Sequence, residues 1–237
     1  SRTVLKRDLL GSVCRLDLPA QGSHAGSVCI ERDTRDARWW LRLAARRLAA
    51  REARALAALQ QVPGLPRLLQ WDGHRLRRSW LDGQPMQRIQ PRDPGYYREA
   101  LRLVRRLHAA GVVHNDLAKE PNWLVGPDGR PAIVDFQLAM QPRVRGRVFR
   151  MLARDDLRHL LKHKRSYCAA QLTARQNAIL ARRSPQAAAW AHTVKPVYRF
   201  VTRRLLGWAD REGAGDRGAA YGSTTSKSSA GASPGRQ

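Results

Sequence analysis

Val112-Val113-His114-Asn115-Asp116-Leu117-Ala118-Lys119-Glu120-Pro121-Asn122-Trp123-Leu124-Val125, followed after a Gly126-Pro127-Asp128-Gly129 turn by Ala132-Ile133-Val134-Asp135-Phe136-Gln137-Leu138-Ala139, is the stretch on which the fold turns. Leu124-Val125 and Ile133-Val134 are short apolar runs divided by turn residues, the pattern of a hairpin. Such a hairpin returns Asp135 to the neighbourhood of Asn122, thirteen positions earlier. Taken singly, His114-Asn115-Asp116 reads as readily as an ordinary turn, and Val134-Asp135-Phe136 as an ordinary strand end. The weight comes from finding both in register.

Together the two segments resemble the catalytic loop and the metal-binding motif of the protein-kinase superfamily. The resemblance implies a phosphotransferase that uses ATP and magnesium, because phosphoryl transfer needs a carboxylate to receive the proton of the incoming hydroxyl and a second oxygen set to hold the metal. It assigns Asp116 and Lys119 to catalysis and Asn122 and Asp135 to the metal. Asn122 and Asp135, with Gly11, Arg32 and Glu52, form the implied nucleotide-binding set. Gly11 is all that remains of a glycine-rich loop between the first two strands. Arg32 stands in for the usual lysine of the third strand, its planar fork able to bridge phosphate and carboxylate. Glu52 is its implied partner on the first long helix. The alternative for this pair is two solvated charges. Asp156 matches a helix aspartate that accepts hydrogen bonds from the catalytic-loop backbone in kinase folds, or else is a helix-capping acid near a helix start at Asp155-Asp156.

Three positions depart from the family pattern. Five residues, not four, separate Asp116 from Asn122, so either Ala118 to Pro121 bulges or Asn122 approaches the site differently. Asn115 replaces the arginine that regulated protein kinases use to sense a phosphorylated activation loop. Gln137 replaces the glycine of Asp-Phe-Gly, removing the residue best able to flip its backbone, so a fixed active conformation is expected.

Working outward, Thr3 to Leu5, Val13 to Leu18 and Val28 to Ile30 read as three strands separated by glycine and proline. Apolar residues then recur at helical spacing from Ala37 to Leu59, ending before Pro63-Gly64. Leu65 to Trp71 and Leu76 to Leu81, divided by Asp72-Gly73, read as a hairpin, and Asp82-Gly83-Gln84-Pro85 breaks the pattern at a lobe junction. Tyr96 to Ala110 reads as a helix closed by Gly111. Beyond Asp135 the chain is helical and basic, with Leu152, Leu157, Leu160 and Leu161 as anchors. The fold class is therefore α+β with two kinase-like lobes. A small antiparallel sheet plus one long helix occupies 1–82, a reduced and mainly helical lobe occupies 83–212, and a disordered Gly/Ser-rich tail occupies 213–237.

The 44 Lys plus Arg against 19 Asp plus Glu give a net charge of +25, which favours phosphate-rich partners without choosing among nucleotide, nucleic acid and acidic lipid. No apolar run is long enough to span a bilayer. Cys14, Cys29 and Cys168 are odd in number and lack metal-ligand spacing, so neither disulfide nor zinc is expected and a cytoplasmic setting fits, with the inner membrane face as a peripheral variant. His108, His159 and His163 read as structural or surface residues.

The short stretch after Asp135, without an Ala-Pro-Glu motif, is similar to RIO-type serine/threonine kinases and to bacterial lipopolysaccharide core kinases, over residues 3–165. The acceptor is then a protein hydroxyl or a glycolipid sugar. Lys195 to Trp208, where aromatic and apolar residues mix with arginine, is either a membrane-contacting segment or a core helix with a basic face. A pseudokinase scaffold and a basic nucleic-acid-binding protein remain the readings outside the enzyme class; no nucleic-acid-binding motif accompanies the charge, and RNA contact is compatible with kinase activity.

Overall fold

A computed structural model describes residues 1–18, 27–142 and 144–181. The expectations for Lys195 to Trp208, for the end of the second lobe and for the tail at 213–237 lie outside the described residues.

The first lobe is a five-stranded antiparallel sheet built from β1 (Arg2–Asp8), β2 (Gly11–Leu18), β3 (Ser27–Asp33), β4 (Leu68–Trp71) and β5 (Arg75–Ser79), in the order β1-β2-β3-β5-β4. Helix α1 (Arg42–Ala58), entered through a 3-10 turn at Trp39–Leu41, follows β3. The first three strands run longer than their apolar cores suggest, because charged residues continue them. On β3, Glu31 and Asp33 stand opposite Arg77 and Arg75 of β5, and each arginine donates its Nε to the facing carboxylate at 2.8 Å. These cross-strand ion pairs satisfy positions that a hydrophobic pattern would have left out of the strand.

Burial of the Asp33 carboxyl works against its charge, but hydrogen bonds from Arg35 and Arg75 outweigh that and hold it well below the usual carboxylate range. A group depressed in the folded state stabilises the fold above its unfolded pKa and loses that contribution as pH falls towards its folded value. Asp33→Asn should therefore cost about 1–3 kcal/mol at pH 7. Urea denaturation should find the gap constant down to about pH 5 and narrowing below about pH 4, where the unfolded carboxylate takes up its proton.

Gly11 begins β2 after a two-residue link, Leu9-Leu10, and adopts φ +122°. A Cβ there would lie 2.2 Å from the Asp33 carbonyl oxygen, so the glycine answers to the close approach of β2 and the end of β3.

The second lobe opens with β6 (Gln84–Pro85), which pairs with β7 (Trp123–Val125), itself paired with β8 (Pro131–Ile133). Gln84-Pro85, read as a break, is thus the outer strand of a three-stranded sheet that carries the hairpin between Asn122 and Asp135. Helices α2 (Met86–Ile89), α3 (Pro94–Ala109), α4 (Arg147–Tyr167) and α5 (Ala174–Ala181) complete the lobe. Helix α3 starts where Asp93 accepts from Gly95 N and Pro94 takes the first turn, and it ends before Gly111 at φ +77°. Its buried face of Tyr96, Ala100, Leu103, Val104 and Leu107 joins Leu56 and Leu59 of the first lobe, Trp123, Ile133, Phe136 and Leu160 in one core. Helix α1 is therefore locked to the β7–β8 hairpin by shared packing. Asp155-Asp156, expected near a helix start, instead lies in the middle of α4, because the basic residues from Arg147 onward already form its first turns.

Candidate active site

The loop that follows α3 is held from below by α4. Asp156, only 1% exposed, accepts His114 N at 2.8 Å and Asn115 N at 3.0 Å with its two carboxylate oxygens, and His108 Nε2 lies 3.1 Å from the first of them. The backbone-accepting role is thus the one Asp156 takes, and mid-helix it caps nothing. Asn115 sits at φ +62°, a conformation that asparagine tolerates better than most residues. The His114 ring donates from Nε2 to Val134 O at 3.1 Å and packs edge-on against Phe136 at 4.7 Å, joining the two halves of the motif.

The extra residue between Asp116 and Asn122 is absorbed by a turn at Asp116 to Lys119 followed by a 3-10 turn at Glu120–Asn122. Leu117 O accepts from Trp123 Nε1 at 3.1 Å and from His163 Nε2 at 2.8 Å, while Tyr167 donates its hydroxyl to Glu120 at 2.7 Å. Two side chains one turn apart on α4 therefore clamp the bulge. His163 is structural, as the sequence suggested. Its contact and that of Tyr167 were not legible, because they depend on how α4 crosses the loop.

Asp116, Lys119 and Asn122 converge. Asp116 Oδ2 accepts from Lys119 Nζ at 2.7 Å and from Asn122 Nδ2 at 3.1 Å, and Asn122 Nδ2 also reaches the Asp116 carbonyl at 2.9 Å. The second Asp116 oxygen accepts no hydrogen bond among the described residues. Asn122 is fully buried, and its Oδ1 has no hydrogen-bond partner among the described residues. An orphaned amide oxygen in a buried site costs on the order of 1–3 kcal/mol unless something binds to it.

Asp135, at the end of the hairpin, adopts φ +69°, strained for a residue with a side chain. Gln137 Nε2 donates to its Oδ1 at 2.7 Å. Burial would raise the Asp135 carboxyl, yet Arg32, the Gln137 amide, His114 and Lys119 together pull it below the ordinary range, so it is ionised at neutral pH. An anionic carboxylate and an unsatisfied amide oxygen are hard oxygen donors that suit magnesium. Among the described residues there is no cluster of three or more His, Cys, Asp or Glu.

Arg32 of β3 faces α1 and places its Nε 3.7 Å from Glu52 Oε2. Arg78 of β5 lies 3.3 Å from the other Glu52 oxygen. Glu52 is 1% exposed. Burial pushes its carboxyl up, the two arginines oppose this, and the nearby Asp135 charge adds to it. Arg78 was missed by sequence reading, although a signal was present: it shares the inward face of β5 with buried Leu76, two residues earlier. Gly11 is placed against Asp33 rather than among these charged groups.

No curated protein matches the chain. A family model, described as the RIO domain, matches residues 29–176. Those residues begin in β3, take in Arg32, the α1 glutamate and the whole β7–β8 hairpin, and end within α5. With the Asp116–Lys119–Asn122 cluster and the α4 aspartate that braces it, this match settles membership: the chain belongs to the RIO-domain family of kinase-fold phosphotransferases.

Proposed function

We propose that this chain transfers the γ-phosphate of ATP, with magnesium, to a serine or threonine hydroxyl of a protein acceptor, itself included. The observation that carries the reading is the pairing of a half-engaged Asp116 carboxylate with the orphaned Asn122 Oδ1. When bound, magnesium supplies positive charge that offsets the charge of the phosphates. Asn122 Oδ1 and the Asp135 carboxylate are the groups that would hold it. Arg32, steadied by Glu52, which Arg78 holds from its other side, offers its guanidinium to phosphate oxygens. Asp116 receives the acceptor hydroxyl on its unengaged oxygen, orients it for in-line attack and takes up its proton. Lys119, half exposed at 52% of its side chain, leaves Asp116 to meet charge on the transferred group.

Purified protein incubated with γ-labelled ATP and magnesium, alone, with a generic protein acceptor and with core lipopolysaccharide, tests the acceptor. Label on serine or threonine supports this reading. Label on glycolipid alone moves the acceptor to a sugar hydroxyl, and nucleotide binding without label identifies a pseudokinase.

A further inference from the structure

Trp39, Trp40 and Leu43, at the turn that opens α1, are 81%, 47% and 57% exposed. Leu43 lies four residues after one tryptophan and three after the other, so the three side chains fall on one face. Adjacent large apolar groups left in water mark an interaction surface far more often than isolated ones do. The surrounding residues are arginines: Arg38, Arg42, Arg46 and Arg47 are all exposed. Arg42 Nε donates to Ala37 O and Arg46 Nε to Gly73 O, which fixes both guanidiniums at the rim with further N–H groups to spare. The Arg38 and Arg47 side chains have no ion pair or hydrogen bond among the described residues. The nearest acids in sequence are engaged elsewhere, Asp33 by Arg35 and Arg75 and Asp36 by the Ser12 hydroxyl.

From this geometry we infer that the Trp39–Trp40–Leu43 face docks on an anionic lipid bilayer. Indole rings settle at the boundary between headgroups and acyl chains, where an apolar body and one N–H donor are both satisfied. Leucine partitions beside them, and a border of guanidiniums pairs with lipid phosphates. Single-stranded nucleic acid fits less well, since bases stack on aromatic faces and gain nothing from an aliphatic side chain set between two of them. Leu43 precedes Glu52 by nine residues, or about 14 Å along α1, so docking would hold the candidate site close to the bilayer. The inference does not depend on phosphoryl transfer.

Flotation of the full chain with vesicles of phosphatidylcholine alone, and of phosphatidylcholine with phosphatidylglycerol, tests it. Any chain of charge +25 approaches an anionic surface, so the tryptophan dependence is the deciding readout. Wild type should float with the anionic vesicles only. Trp39→Ala/Trp40→Ala should weaken that at least about tenfold, as should Arg38→Glu/Arg47→Glu, with unchanged melting temperatures because all four residues are exposed. Asp116→Ala should float like wild type whether or not the chain is an active kinase. Anionic binding that ignores the tryptophans, equal binding to neutral vesicles, or no binding would each overturn the inference. So would a tryptophan-dependent affinity for single-stranded RNA with vesicle binding unaffected.

Discussion

Asp116→Ala should remove phosphoryl transfer by about 10²–10⁴-fold while ATP still binds, the range expected when a positioned general base is lost. The split follows from where the contacts lie. Asp116 is engaged by Lys119 and Asn122 on one oxygen, whereas the charges assigned to the nucleotide are Arg32, with Glu52 behind it, and Asp135. Removing the carboxylate leaves that second group in place. Asp116→Asn, which keeps the shape, should lose transfer nearly as completely. Single-turnover assays alongside calorimetric titration of ATP separate the two effects. Turnover at wild-type rate in either variant would remove Asp116 from the chemistry.

Asp156→Ala should have the largest effect on stability, about 3 kcal/mol, because the buried His114 N–H and the part-buried Asn115 N–H lose the side-chain acceptor they share among the described residues. That is a large share of the 5–15 kcal/mol by which a domain of this kind is usually stable. His108 loses its partner in the same step. Asp156→Asn retains one acceptor oxygen and should cost roughly half as much, with His114 or Asn115 left unpaired. Urea denaturation of the three proteins checks the order. A variant as stable as wild type would mean that the loop is held by its packing, through His114 on Phe136 and His163 on Leu117, rather than by the carboxylate.

Much of this was legible in the chain. The hairpin from Asn122 to Asp135 follows from apolar runs around Gly126 to Gly129, and α3 from its apolar spacing and Gly111, although its Asp93 cap went unread. The site was legible where its residues are neighbours in sequence, as Asp116, Lys119 and Asn122 are. It was less so where strands and helices had to be brought together. Arg78 reaches Glu52 only because β5 lies beside β3, and the register that decides this is set by charged pairs carrying no apolar signature. His163 and Tyr167 reach the bulged loop only through the crossing of α4. The start of α4 is obscured in the sequence because its first turns are rich in arginine, whereas the acids that resemble a helix start, Asp155-Asp156, lie two turns into the helix.

If Asn122 and Asp135 hold magnesium and nucleotide at the place from which phosphate is transferred, label transfer from γ-labelled ATP at saturating nucleotide, with magnesium and with the metal chelated, should separate wild type from Asp135→Asn. Wild type should show magnesium-dependent transfer and the variant a loss of at least about 10²-fold, since its ionised metal ligand is gone. Equal magnesium-dependent transfer by both proteins, or wild-type transfer indifferent to magnesium, would contradict that placement.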